Sequence, residues 1–178
     1  MSLDEKYTFA HTTKDDKDAI LHLIENDLSD KEREFLQWNV LKSVIVQDIE
    51  NENECYVVKT KEKNTSNIIS FVRTSAHGKF LEDLVVSNKH RHEGVASFAL
   101  NSLPHLPLYA TTDFSNFPIY QLLTKFGFHI ISLNKRPSDG ATYLWRRSVK
   151  GINPQPFTQT FHPENIFGQD YKTLHHSP

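Results

Sequence analysis

The chain has 178 residues, of which 38% are hydrophobic and 24% are charged. This length and composition are typical of a single globular domain and argue against an intrinsically disordered chain. The 20 Lys and Arg residues are balanced by 22 Asp and Glu residues, which gives a net charge of −2. This balance argues against the broad basic surface on which nucleic-acid binding depends.

Cysteine usage indicates a reducing compartment, and hydropathy argues against insertion into a membrane. No apolar run approaches the roughly 20 residues that a membrane-spanning helix needs, and the N-terminus MSLDEKYTF has no apolar signal region. The single cysteine, Cys55, cannot form an internal disulfide, and its apolar surroundings favour a buried structural thiol over a nucleophile. We therefore expect a cytoplasmic protein that contacts neither membranes nor nucleic acid.

The first half of the chain predicts a strand, two helices and then three strands. Alternating side chains in Tyr7–His11 indicate the first strand, and the next helix has an apolar face that runs from Ile20 to Leu28. A capping box at Ser29–Glu32 opens a second helix, which extends to Ile49 with an uncertain end because its last residues are largely β-branched. Three strands separated by polar turns follow, at Cys55–Lys59, Ile68–Thr74 and Phe80–Val86.

The second half predicts a helix, a strand, another helix and two strands. After Gly94 the apolar period becomes helical, and a short strand follows at Leu108–Thr112. Apolar residues from Ile119 to Phe126 predict the next helix, which the following glycine ends. Two strands at Phe128–Leu133 and Thr142–Val149 complete a mixed α/β layout with one layer of sheet and helices on its faces.

The composition changes near residue 150. Residues 1–150 carry the periodic segments, whereas residues 151–178 contain four prolines together with several large apolar side chains. We expect residues 151–178 to form a C-terminal arm that docks on its own domain or on a neighbouring subunit. Docking on a neighbour implies a homodimer, and the alternative is a loose tail.

The segment from Leu84 to Ser97 carries the clearest chemical signal. It runs from a strand through a polar loop into a helix, and the first N–H groups of a helix have no internal partner. Together with the helix dipole they bind phosphate, provided that the chain lets a ligand come close, and Gly94 and Ala96 are small enough for that. The segment is a candidate pyrophosphate cradle, although a glycine at this place can also serve a tight turn alone.

Two motifs resemble those of the GNAT superfamily of N-acyltransferases. The run Arg91-x-x-Gly94-x-Ala96 matches the coenzyme A signature (Gln/Arg)-x-x-Gly-x-(Gly/Ala), and Asn116 followed by a helix and Gly127-Phe128 matches a later motif. The order of elements agrees from Tyr7 to Val149. The resemblance implies a mostly antiparallel sheet of about seven strands with about four helices, in which two central strands splay around a cofactor slot.

The resemblance also implies which residues bind acetyl-CoA. Backbone groups of Leu84, Val85 and Val86 would hold the pantetheine arm and the thioester. Asn116 would contact the cofactor near its sulfur, and its alternative role is to cap the helix that follows. The signature arginine and the residues after it would bind the pyrophosphate, namely Arg91, His92, Glu93, Gly94, Val95, Ala96 and Ser97.

The chain departs from the family at the expected general acid. Many members carry a tyrosine four residues before the glycine of Gly-Phe, and here that position is Leu123. Tyr120 lies on the same helix at spacing i, i+3 and could replace the missing acid, although a packing role is the alternative.

Glu82 is the leading candidate for the general base. It precedes Leu84 by two residues, which predicts that it lies on the same strand face as Leu84 and Val86, beside the thioester, with Asp83 on the opposite face. His77, His90 and Asp113 are loop candidates for the same role. The alternative for each is an ordinary solvated side chain.

These features predict direct transfer of an acetyl group from acetyl-CoA to a primary amine of a small molecule or a protein. No covalent enzyme intermediate is needed. The alternative is an acyl-CoA-binding regulatory or interaction module that has lost catalysis. We expect no metal site, because neither His90/His92 nor His175/His176 shows an H-E-x-x-H pattern or partnering cysteines. A serine hydrolase is unsupported, since no Gly-x-Ser-x-Gly occurs.

Overall fold

A computed structural model describes residues 2–27, 38–61, 67–113, 116–135 and 141–148. All of them belong to one compact unit. The predicted capping box at Ser29–Glu32, the turn at 136–140 and the arm at 151–178 lie outside the described residues.

The described residues up to Glu50 contain three helices and the first strand. Thr13 and Asp16 form a reciprocal capping box at the 3₁₀ turn that precedes the first predicted helix. The short helix α1 at the N-terminus was not predicted, because a four-residue helix shows no apolar period. The elements are α1 (Leu3–Lys6), β1 (Tyr7–His11), α2 (Lys17–Asp27) and α3 (Trp38–Glu50), with a 3₁₀ turn at Lys14–Asp16.

The rest of the chain follows the predicted order of strands and helices. Every predicted strand and helix between Cys55 and Arg147 is confirmed, and the ends differ by a residue or two. The elements are β2 (Cys55–Thr60), β3 (Ile68–Ser75), β4 (Phe80–Val86), α4 (Val95–Ser102), β5 (Tyr109–Asp113), α5 (Phe117–Lys125), β6 (Phe128–Lys135) and β7 (Ala141–Arg147), with a 3₁₀ turn at Asn88–His90.

The seven strands form one sheet in the order β1-β2-β3-β4-β5-β7-β6. Five of the six strand pairs are antiparallel, and the central pair, β4 with β5, is parallel. The predicted mixed, mostly antiparallel α/β fold is therefore confirmed. The described residues hold five helices rather than about four, because α1 adds one. Among them no helix has the length and apolar character that crossing a bilayer requires.

Each face of the sheet buries its own apolar cluster. The α2 face is packed with Ile20, Ile24, Ile45 and Ile49 from α2 and α3, and strand residues such as Phe71 belong to the same cluster. The α4 face is packed with Val95, Phe98 and Leu123 from α4 and α5. Side chains alternate along a strand, so the register assigns each strand residue to one face.

Cys55 lies on the α2 face and is fully buried. Burial, with a further contribution from the charge of Asp48, raises the pKa of its thiol to about 12. A thiol that stays protonated in an apolar cluster is a packing residue rather than a nucleophile. The prediction of a buried structural cysteine is confirmed.

Candidate active site

The sheet opens between its two central strands. β4 and β5 pair only at Phe80 with Tyr109 and at Leu81 with Ala110. Beyond these pairs β4 continues to Val86 and β5 to Asp113 without any pairing between them. The predicted splay is thus present, and the gap begins directly after Leu81.

Backbone groups of β4 point into this gap at every second residue. The Ser87 N–H donates to the Ile69 carbonyl of β3 at 2.8 Å, and peptide groups alternate in direction along a strand. The N–H groups of Leu84 and Val86 therefore point away from β3, towards the gap. For Val85 the prediction is corrected, because its backbone groups pair with β3 and its carbonyl accepts a hydrogen bond from Ser70 Oγ at 2.7 Å.

A β-bulge in β4 lies where the gap begins. Leu81 pairs with Thr74 and Asp83 with Arg73, so Glu82 between them has no partner in the register. Such a bulge adds one residue to a strand and shifts the alternation of its side chains.

The bulge places Glu82 on the α2 face. Its Oε1 accepts a hydrogen bond of 2.5 Å from Ser75 Oγ, one residue pair beyond the bulge. Leu84 and Val86 pack against the cluster of the α4 face. The prediction that Glu82 shares a face with Leu84 and Val86 was wrong. Asp83 does face away from Leu84 and Val86, as predicted, but the bulge puts Glu82 on the same face as Asp83.

A mostly buried arginine, Arg73, forms two ion pairs beside Glu82. Arg73 Nε donates to Asp83 Oδ2 at 2.6 Å, and Arg73 Nη1 donates to Asp48 Oδ2 of α3 at 2.8 Å. Burial opposes the charge of Arg73, but Asp83 and Asp48 outweigh it and raise the pKa of the guanidinium. The ion pairs hold β3, β4 and α3 together around the bulge.

Glu82 has a raised pKa. Burial is the largest cause, and it outweighs the Ser75 hydrogen bond and the charge of Arg73, which both favour the carboxylate. A carboxylate whose pKa is raised accepts a proton more readily than an ordinary glutamate. Glu82 is therefore more basic than an ordinary glutamate.

The other base candidates lie elsewhere. His77 is exposed in the β3–β4 turn with a positive φ of 58°. His90 belongs to the loop before α4, where its Nδ1 lies 3.2 Å from Glu93 Oε2. Asp113 is the last residue of β5, opposite Thr142 of β7, rather than a loop residue.

The loop from Arg91 to Gly94 leads into α4 through two left-handed residues. His92 has φ 64° and Gly94 has φ 84°, and a Cβ on Gly94 would lie 3.4 Å from Leu3 Cδ1. The first intrahelical hydrogen bond runs from the Phe98 N–H to the Gly94 carbonyl at 2.9 Å. The N–H groups of Val95, Ala96 and Ser97 precede this bond and so have no partner within α4, as the predicted pyrophosphate cradle requires.

Side chains around the cradle have different roles. Arg91 Nε donates to the Val86 carbonyl at 3.3 Å, which ties the loop to β4. The Glu93 carboxylate accepts a hydrogen bond of 2.7 Å from the Tyr7 hydroxyl. Because a carboxylate repels an anion, only the backbone N–H of Glu93 could bind one. Lys125 at the end of α5 places its Nζ 3.4 Å from Ser97 Oγ. Sequence reasoning missed Lys125, because its approach to the cradle depends on tertiary packing alone.

The helix after the gap carries the remaining candidates. Asn116 is exposed at the N-cap of α5, but its side chain makes no capping hydrogen bond. Tyr120 packs on the α4 face, with its ring centre 5.6 Å from that of Tyr143 and 5.2 Å from that of Trp145. Leu123 is fully buried in the core. Glu82 and Tyr120 thus belong to opposite faces of the sheet.

Comparison with known proteins gives matches among solved structures. No protein-family model matches the chain, and no curated protein matches it. A GNAT-family acetyltransferase from Bacillus cereus superposes with a TM-score of 0.60 at 21% identity, covering 80% of this chain and 99% of that chain. The chain has the GNAT fold.

Two further structures with this fold contain coenzyme A. The NatC complex bound to a Gag peptide and CoA matches with a TM-score of 0.58 at 14% identity, covering 81% of this chain and 99% of that one. The PaiA N-acetyltransferase from Thermoplasma acidophilum in complex with coenzyme A matches with a TM-score of 0.55 at 11% identity, covering 82% and 99%. The GNAT fold of the present chain thus occurs in proteins that bind this cofactor.

Proposed function

We propose that this chain is a cytoplasmic N-acetyltransferase that transfers an acetyl group from acetyl-CoA directly to a primary amine of a small molecule or a protein. The observation that carries the proposal is the continuity of the gap with the cradle. Backbone donors of Leu84 and Val86 line the gap, and the loop after β4, which Arg91 ties to the Val86 carbonyl, leads to the N–H groups at the start of α4. An elongated ligand with a pyrophosphate at one end fits this arrangement.

The residues present suit coenzyme A at both ends of the gap. The N–H groups of Val95, Ala96 and Ser97 would bind the pyrophosphate, and Lys125 adds a positive charge beside Ser97. Leu84 and Val86 would hold the pantetheine arm through main-chain hydrogen bonds. The exposed side chain of Asn116 is free of a capping role and would contact the cofactor near its sulfur.

The amine must lose a proton to become a nucleophile, and in this proposal Glu82 takes it. Acetyl-CoA supplies an activated thioester when bound. The Glu82 carboxylate approaches from the α2 face, where Ser75 and the charge of Arg73 hold it in one orientation. The inward N–H groups of β4 would stabilise the negative charge that develops on the carbonyl oxygen.

Tyr120 is the candidate general acid, which donates a proton to the departing thiolate. It lies on the opposite face from Glu82, so a base and an acid flank the gap. Leu123 cannot act, since an apolar side chain has no proton to give.

Coenzyme A binding combined with thiol release tests the proposal. Calorimetry should show binding of coenzyme A, and a thiol assay across small amines, polyamines and peptide N-termini should show release that needs both acetyl-CoA and an amine. Tyr120→Phe should lower the turnover number without weakening coenzyme A binding. Absence of coenzyme A binding by the unmodified chain would contradict the proposal.

A catalytically impaired acyl-CoA-binding module is the second candidate. The burial of Leu123 favours it, because the position of the family's tyrosine is here filled by core packing. Tight coenzyme A binding with no thiol release from any amine of the panel would support the module over the enzyme.

A further inference from the structure

The cradle contains an acidic side chain next to the place where a polyanion would bind. Glu93 directly precedes Gly94, and its side chain is solvent-exposed. Like charges repel, so a freely rotating Glu93 carboxylate would oppose phosphate binding. The structure shows that this carboxylate does not rotate freely.

Tyr7 of β1 holds the Glu93 carboxylate. The Tyr7 hydroxyl donates to Glu93 Oε2 at 2.7 Å, although 86 positions separate the two residues in sequence. The hydrogen bond from Tyr7 is the largest cause of the lowered pKa of Glu93, and His90 adds to it. Burial and Glu93 raise the pKa of Tyr7 to about 12, so its hydroxyl stays protonated and keeps donating at neutral pH.

Within the N-terminal segment, residues 2–11, the strand β1 holds Tyr7 in a fixed position. β1 pairs with β2 along its whole length, from Tyr7 with Thr60 to His11 with Tyr56. Tyr7 itself is only 5% exposed, and its ring lies 6.1 Å from that of Phe98 in α4. Its hydroxyl therefore projects from a rigid position towards the loop.

The segment also contacts the loop through α1. Leu3 is partly buried against the α4 cluster, and its Cδ1 lies beside Gly94. The loop from Arg91 to Gly94 contains a backbone conformation that non-glycine residues seldom adopt, since His92 has φ 64°. Contacts from neighbouring segments are therefore needed to hold this conformation. Tyr7 and Leu3 thus contact two adjacent residues of the loop, Glu93 and Gly94.

We propose that Tyr7 is a positioning residue of the coenzyme A site, which holds the Glu93 carboxylate away from the bound pyrophosphate and keeps the loop in its anion-binding conformation. This inference rests on the proposed function. It makes the first strand of the sheet, far from the cradle in sequence, part of cofactor recognition.

A double-mutant cycle with coenzyme A as the probe tests the inference. Tyr7→Phe should weaken coenzyme A binding about tenfold, because it removes a hydrogen bond to a charged group and releases the carboxylate. Glu93→Gln should bind coenzyme A more tightly than the unmodified chain. The variant Tyr7→Phe/Glu93→Gln should recover most of the lost affinity, which a purely structural role of Tyr7 would not allow.

Controls separate this inference from the proposed function. Tyr56→Phe, a matched change on neighbouring β2, should leave coenzyme A binding unchanged, and thermal unfolding reports whether Tyr7→Phe is folded. If the unmodified chain does not bind coenzyme A, the proposed function fails. If it binds and Tyr7→Phe binds equally well, or the double variant is as weak as Tyr7→Phe, the inference alone is overturned.

Discussion

The two ends of the gap are built from different parts of the chain. At the cradle the loop residues 91–94 are exposed, and binding would rely on the backbone N–H groups of Val95–Ser97, which need small neighbours rather than particular side chains. The end at Glu82 is largely buried and uses side chains from β3, β4 and α3. Backbone recognition should tolerate most substitutions that keep the loop conformation, whereas the buried network should be sensitive to conservative ones.

The largest effect is expected at Arg73. Arg73→Met should destabilise the fold by about 3 kcal/mol, because it leaves the carboxylates of Asp48 and Asp83 without their cationic partner in a mostly buried site. Urea denaturation measures the free energy of unfolding. Lys17→Met, which breaks an exposed ion pair with Glu50, should change it by less than about 1 kcal/mol. Equal losses would contradict the importance of the buried network.

Glu82→Gln should have the next largest effect, on activity rather than binding. Loss of a general base lowers the rate about 100-fold or more, while the amide keeps the shape of the side chain. Thiol release with a responsive amine measures the turnover number, and calorimetry checks that coenzyme A still binds. Glu50→Gln on the surface of α3 is the matched control. Full activity in Glu82→Gln would remove Glu82 from the mechanism.

Gly94→Glu tests the backbone end of the gap. A side chain at φ 84° costs roughly 1–2 kcal/mol, and the added charge repels phosphate, so coenzyme A binding should weaken roughly 30-fold. Gly127→Glu is a matched control, since Gly127 has φ 80° and a Cβ there meets nothing within 4 Å. Gly127→Glu should lose a similar amount of folding stability but should bind coenzyme A as tightly as the unmodified chain. Similar affinities in both variants would argue against the cradle.

Ser75→Ala should produce the smallest change, a shift of the pH dependence. The Ser75 hydroxyl donates to the Glu82 carboxylate and so lowers its pKa against the effect of burial. Without it the pKa of Glu82 rises further. As the pH falls, activity that needs the unprotonated Glu82 should then be lost at a higher pH in Ser75→Ala than in the unmodified chain. The profile of kcat/KM against pH measures this, and Ser43→Ala on α3 should leave it unchanged.

Much of the fold could be predicted from the sequence because its strands and helices have clear apolar periods. The cradle was predictable too, since a strand, a loop with Gly94 and a helix follow one another directly along the chain. The bulge at Glu82 was not, because Phe80–Val86 looks like a regular strand until it is paired with β3. The alternation of side chains along a regular strand then assigned Glu82 to the wrong face of the sheet.

Contacts between distant residues were the other limit. The Tyr7 hydrogen bond to Glu93 and the approach of Lys125 to Ser97 both depend on how β1 and α5 pack around α4. No local pattern marks either residue as part of a site. Tyr7 reads as an ordinary strand residue and Lys125 as the last turn of a helix.

Amide NMR shifts during a titration with coenzyme A test the central claim most directly. We predict that coenzyme A shifts the amide signals of Leu84 and Val86 in the gap and of Val95, Ala96 and Ser97 in the cradle. The amides of Ser43 and Gln47 on α3 should keep their positions. A saturating titration that leaves the gap and cradle amides unchanged, or that shifts only residues elsewhere, would contradict the account.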